Sequence, residues 1–187
     1  MNQRGLVERA REGDHDAFAV LAGAAVARLD AAARLILRDP ELARDAVQDA
    51  FMRAWRDLPG LRDPDRFDAW LHRLTVNACL DAVRRRRRRV IEVELTPLAH
   101  PSVGDATAEL ADRELLDAAL RRLDPEWRAI VVMHYYLGMP VPDVAVALRI
   151  PEGTVKSRLH RSIGAMRTTL ADADQAGRAP LTGGQLA

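Results

Sequence analysis

Cysteine is nearly missing from the 187 residues: Cys79 stands alone. That excludes an intrachain disulfide framework and any zinc site built on cysteines. Aromatic residues make up only 4% of the chain, so a core has to be assembled from Ala, Leu and Val. Lysine is reduced to Lys156 among 28 basic residues. No apolar run approaches the roughly 18 residues of a membrane span, and the N-terminal MNQRGLVERAREGD holds no apolar signal core. The expectation is a cytoplasmic protein without membrane insertion. What is plentiful is alanine, 32 residues, in a chain that is 48% hydrophobic. Alanine favours helix and arginine tolerates it, whereas sheets want aromatic and β-branched residues. An all-α fold with a packed core follows.

The net charge of +1 hides a pattern. Residues 1–89 sum to +4, residues 90–118 to −6 and residues 119–187 to +3. Two basic lobes flank an acidic stretch, a layout suited to a polyanion gripped at two points. On charge alone, two solvated helical lobes with an acidic linker are an equal reading.

Helical periodicity covers 15–37. Asp39-Pro40 stops that helix and starts the next, about 41–57. There Ala43, Ala46, Val47, Ala50, Phe51 and Ala54 form one stripe, leaving Arg44, Asp45, Gln48, Asp49, Met52 and Arg56 on the other face. After the loop LRDPD, a helix of about 66–87 buries Phe67, Trp70, Leu71, Leu74, Ala78 and Ala82. It ends in six arginines, Arg84 to Arg89. Residues 91–108 lack periodicity and contain Pro97, Pro101 and Gly104, so they read as a linker able to span up to ~70 Å. The second lobe, 109–170, opens with Leu116, Leu120 and Leu123 on one face. Asp124-Pro125-Glu126 then starts a helix whose Trp127, Ile130, Val131 and Tyr135 should pack inward as far as Gly138. Residues 171–187 are small and polar, a frayed tail.

The sharpest local signal is VPDVAVALRIPEGTVKSRLHRSIGAMR, residues 141–167. It reads as a helix over about 142–148, a turn at 149–152 and a second helix from about Thr154. Val155, Leu159, Ile163 and Met166 form the buried stripe of that second helix. Its outward face carries Thr154, Ser157 and Arg161, flanked by Lys156, Arg158 and His160. Short polar side chains with basic flanks suit a recognition helix in a DNA major groove.

EGTVKSRLHRSIGAMR with VPDVAVALRIP resembles the fourth conserved region of bacterial sigma factors. ELARDAVQDAFMRAWRDL resembles their polymerase-docking region, and FDAWLHRLTVNACLDAVRRRRRR the region that reads and melts the −10 element. Two such domains (1–90 and 109–170) with nothing conserved between them resemble the extracytoplasmic-function, or group 4, sigma factors. The resemblance spans about 14–170. It departs from the family at Arg149, where Gly is usual, and at Pro142-Asp143, where Ser-Glu is commoner.

The resemblance implies core RNA polymerase and promoter DNA as partners. It implies that Asp45, Gln48, Asp49 and Met52 meet the polymerase. Leu61, Arg62, Asp63 and Asp65 with Asn77 would accept a base flipped from the −10 strand, and Arg84, Arg85 and Arg88 would neutralise phosphates. Thr154, Lys156, Ser157, Arg158, His160 and Arg161 would read the −35 duplex. An anti-sigma factor is a further partner the family admits, though no residue here carries it. His15, His72, His100, His134 and His160 show no metal-ligand spacing, and no phosphate-binding Gly-rich loop is present. The expectation is a protein with no catalytic residues, metal, cofactor or small-molecule substrate. The rival is a free-standing helix-turn-helix regulator whose first lobe is a sensor or dimerisation domain.

Overall fold

The computed structural model describes residues 2–92 and 108–178. Helices carry the fold, with no strand among the described residues, as the composition predicts. The first lobe holds α1 (Gln3–Arg11), α2 (His15–Leu37), α3 (Pro40–Asp57) and α4 (Phe67–Glu92). The second holds α5 (Ala108–Arg121), α6 (Pro125–Val131), α7 (Val141–Leu148) and α8 (Glu152–Arg178).

Each early helix starts on a side-chain cap. Asn2 accepts from the Gly5 amide at 2.9 Å and Asp14 from the Ala17 amide at 3.0 Å. Asp39 accepts from the Glu41 and Leu42 amides, both at 3.1 Å, while Pro40 fills the first helical position. The Ala17 amide, followed by the Arg9 side chain, holds the Asp14 carboxyl below its ordinary pKa. Helix α1 is absent from the sequence expectation, although Leu6, Val7 and Ala10 supply its buried face.

Alanine lets the helices of the first lobe approach closely. Ala32, Ala33, Ala43, Ala50, Ala54 and Ala78 are fully buried, and Leu29, Ile36, Phe67 and Leu71 fill the spaces between them. Trp55 stacks on His15 at 4.3 Å and meets Phe18 at 5.1 Å, tying α3 to α2. Cys79 is wholly buried, and burial pushes its thiol up to about 12. It is therefore a small core residue rather than a nucleophile.

Two expectations need correction. Tyr135 is 62% exposed, not inward. Residues Val132–Tyr136 form a π-helical turn after α6, whose extra residue shifts the phase of the apolar stripe. Nor does a tail start at Ala171: α8 runs on to Arg178, through alanines and charged residues with no proline to stop it. The remainder of that tail, 179–187, and most of the expected linker lie outside the described residues.

The lobes touch. Helices α2 and α4 pack on α6, and α4 also packs on α7. This sets the loop before α4 beside the helix-turn-helix.

Removing the Asp39 cap tests the helix-start argument. Asp39→Ala should cost about 1 kcal/mol, and a fall in Tm of roughly 2–4 °C should follow in a chain of this size. An unchanged Tm would show that Pro40 alone fixes the start of α3.

Candidate nucleic-acid interface

Three surfaces carry the residues singled out by sequence. The first is the outer face of α3, where Asp45, Gln48 and Met52 are exposed. Met52 is 66% exposed, a flexible apolar side chain with water on its outer side. Asp49, placed by sequence on the same face, is half-buried and ion-paired. It pairs with Arg53 at 2.7 Å, and the same guanidinium reaches Asp81 of α4 at 3.2 Å. Asp81 in turn binds Arg84 at 2.8 Å. The chain Asp49–Arg53–Asp81–Arg84 thus links the α3 face to the start of the arginine run. Arg53 escaped the sequence reading. Its i,i+4 spacing from Asp49 was the available signal.

The second surface surrounds residues 61–65, which run from a 3-10 turn at Leu58–Gly60 into another at Pro64–Arg66. Leu61 is 8% exposed and belongs to the core, so it anchors the loop instead of presenting itself. The Asp63 side chain accepts from the Asp65 amide at 3.0 Å, and Asp65 pairs with Arg4 of α1 at 3.1 Å. Both acids therefore hold the loop's shape, while Arg62 stands exposed without an ionic partner among the described residues. A cavity of about 280 Å³ opens here, lined by Arg62, Asp63, Trp70 and Arg73 of the first lobe and by Met139 and Val146 of the second. Asn77 is not among its lining residues. It lies half-buried further along α4, with no side-chain hydrogen bond among the described residues. The loop and Asn77 are thus not joined in one pocket. Arg84, Arg85 and Arg88 are exposed at the far end of the same helix.

The third surface is the helix-turn-helix. Helix α7 ends at Arg149, held in left-handed backbone at φ 55°. The Ile150 amide donates to the Ala145 carbonyl at 3.1 Å and the Arg149 amide to the Val146 carbonyl at 3.4 Å. This is the Schellman pattern that ordinarily ends in glycine. In α8, Val155, Leu159 and Met166 are buried as the stripe predicts. Lys156, Ser157, His160 and Arg161 are exposed, whereas Thr154 is half-buried. Ser157 donates to the Thr154 carbonyl at 3.0 Å, and Arg158 leans back to Glu126 of α6 at 3.6 Å. The free part of the face is thus Lys156, His160 and Arg161.

Residues 24–89 match the family description Sigma-70 region 2, and residues 113–166 match Sigma-70, region 4. An RNA polymerase sigma-E factor of Streptomyces avermitilis is 36% identical over 147 residues, covering 79% of this chain and 81% of its own. The ECF RNA polymerase sigma factor SigM of Mycobacterium tuberculosis is 38% identical over 158 residues, 80% of this chain and 75% of its own. The chain belongs to the ECF RNA polymerase sigma factors.

The solved structure of CnrH in complex with the cytosolic domain of CnrY is 30% identical, with a TM-score of 0.64 over 92% of this chain and 98% of that one. A sigma factor RpoE of Bartonella quintana, solved with the anti-sigma factor NepR, is 24% identical, covers 76% of this chain and 89% of its own, and has a TM-score of 0.68; it bears on the fold alone. Sigma factors are non-enzymatic initiation factors that bind RNA polymerase and promoter DNA, so the regulator with a sensor lobe is not the favoured reading. Among the described residues no group of three His, Cys, Asp or Glu is placed to hold a metal, and no helix is long and apolar enough to cross a membrane.

The turn of the helix-turn-helix makes a clean stability test. Arg149→Gly should stabilise the chain by up to about 1 kcal/mol, because glycine enters left-handed backbone without the Cβ clash. A lower Tm in thermal melting would show that the arginine side chain itself supports the turn.

Proposed function

We propose that this sigma factor docks on core RNA polymerase through Asp45, Gln48, Asp49 and Met52, and reads promoter DNA with both lobes. The residues of 1–90 serve docking and the opened −10 strand, and those of 109–170 serve the −35 duplex. The single observation that carries this reading is the outward face of α8. Lys156, His160 and Arg161 are exposed and unpaired among the described residues, on a helix whose opposite side is core. A base edge in the major groove can use such donors directly, while the exposed Arg84, Arg85 and Arg88 offer sequence-independent phosphate contacts. On α3, an exposed methionine beside an amide and two carboxylates offers an apolar anchor with a polar surround, the usual composition of a docking surface. The chemistry of RNA synthesis then resides in the polymerase, and the factor works where the polymerase is, in the cytoplasm. An anti-sigma factor belongs among the proposed partners: the family admits one, and CnrH, 30% identical, was solved in complex with the cytosolic domain of CnrY.

Charge reversal tests the docking face. Asp49→Lys should lower affinity for core polymerase at least tenfold, through like-charge contact with the partner and with Arg53. Gln48→Lys, which breaks no internal ion pair, should act in the same direction. Pull-downs of both variants at core affinity equal to the parent's would overturn the assignment.

The two kinds of arginine should separate by specificity. Arg161→Ala should relax −35 preference, a loss of about 1–3 kcal/mol on the cognate duplex only. Arg88→Ala should weaken all sequences alike and reduce the salt slope by about one unit. Equal loss on cognate and scrambled duplex for Arg161→Ala would remove its base-reading role.

A further inference from the structure

Helix α1 lies ahead of the stretch that matches region 2, which begins at residue 24. It nevertheless packs on both 3-10 turns of the 61–65 surface as well as on α2. Leu6, Val7 and Ala10 anchor it in the core. Its start is fixed by the Asn2 cap on the Gly5 amide, and a Cβ at Gly5 would stand 3.1 Å from the Asn2 Oδ1. The first turn then reaches the loop with two side chains. The Arg4 guanidinium pairs with Asp65 at 3.1 Å, and its Nε is splinted by Glu8 at 3.1 Å. Gln3 donates to the Asp68 carboxylate at 2.6 Å. Asp65 belongs to the second 3-10 turn and Asp68 to the first turn of α4, so the two bonds grip the joint between loop and helix.

Stability is not what these bonds supply. The Arg4 and Asp65 side chains are 56% and 64% exposed, and pairs so open to water contribute little to it. Helix α1 is already held by its buried face. What the bonds restrict is the course of the loop. Leu61 and Pro64 are buried, which fixes its depth, while the Asp63 side chain accepts from the Asp65 amide at 3.0 Å. Arg62 is exposed among these anchors, and its aim follows from the backbone on either side. We infer that Arg4 and Gln3 are positioning residues for base reading: α1 holds the loop, before DNA arrives, in the shape in which it meets a strand. This rests on the proposed strand-reading role of that loop. A loop ordered in advance loses less freedom on binding, so more of the contact energy of a correct base is left to discriminate. Base preference thus depends on α1 through contacts that α1 makes to protein alone.

The test uses the full chain assembled with core polymerase and a single-stranded DNA pool randomised over the −10 stretch. Sequencing the bound fraction gives the preference for the best base over the worst at each position. Arg4→Met keeps much of the side chain's length and removes its charge, and Gln3→Met removes the second bond. The double variant should lower base preference about three- to tenfold, with Tm and affinity for core polymerase equal to the parent's. Arg4→Asp alone should lower it as well, and Arg4→Asp with Asp65→Arg, which exchanges the charges, should restore most of it. Arg62→Ala is the control for the loop itself. Preference unchanged in the double variant but lost in Arg62→Ala would overturn the positioning role and leave the loop's reading in place. Preference unchanged in both would overturn the loop's reading and the inference with it. A loss that the charge exchange does not restore would make Arg4 a direct DNA contact and overturn positioning. So would a loss accompanied by a lower Tm, which belongs to a merely structural pair.

Discussion

A chain built from helices must satisfy the amides at each helix start and the carbonyls at each helix end without help from a sheet. Here side chains do part of that work. Asn2, Asp14 and Asp39 accept from first-turn amides, and Arg128 donates to carbonyls at the ends of α5 and α2. Arg128 matters most, because Ile36 and Leu120 belong to different lobes. One buried guanidinium therefore ties α6 to the end of α2, where α6 also packs on α4 beside α7. The helix-turn-helix is held beside the 61–65 loop by these helix-end bonds together with an apolar core that is continuous across both lobes.

The same economy organises the outer surface. Asp63 and Asp65 shape a loop, Asp49 and Asp81 share Arg53, and Arg158 rests on Glu126. The arginines left over, among them Arg62, Arg85, Arg88 and Arg161, are exposed. Exposed ion pairs contribute little to stability individually, so their value is in aim. They fix which cations stay committed to the fold and which stay free for a polyanion. Sorting the basic residues in this way gives a smaller footprint than the bare sequence suggests, and a more specific one.

Much of the fold was legible because periodicity and punctuation agree. Asp39-Pro40 and Asp124-Pro125 mark helix starts, and the stripe of Val155, Leu159 and Met166 is buried as its spacing requires. Failures have local causes. An unbroken 3.6-residue period points Tyr135 inward, and the π-helical turn breaks that period. Leu61 belongs with its loop neighbours by sequence, yet burial pulls an isolated leucine into the core between two 3-10 turns. The ion pairs around Asp49 are not legible, because sequence displays the face of a helix but not the reach of Arg53 across to Asp81. Arg128 was silent altogether: its partners are backbone carbonyls, one of them 92 residues away, and backbone groups leave no mark in a sequence.

The near-absence of lysine gains a structural reading from these contacts. Arg128 serves three carbonyls at 2.7–3.0 Å from one planar group, and Arg38 grips a carboxylate with two nitrogens. An ammonium offers three donors radiating from a point and cannot span such geometry. It is also more strongly hydrated, so burial would lower its pKa further and threaten the charge itself. Arginine tolerates both demands, holding buried helix ends together in one place and offering bidentate contacts to bases and phosphates in another. Lys156, by contrast, stands exposed near the start of α8, where only a point charge is asked of it. The lobe interface and the surfaces proposed to meet DNA thus draw on one side chain for the same reason, and substituting lysine for arginine across the chain would strike the contacts between the lobes while leaving the net charge unchanged.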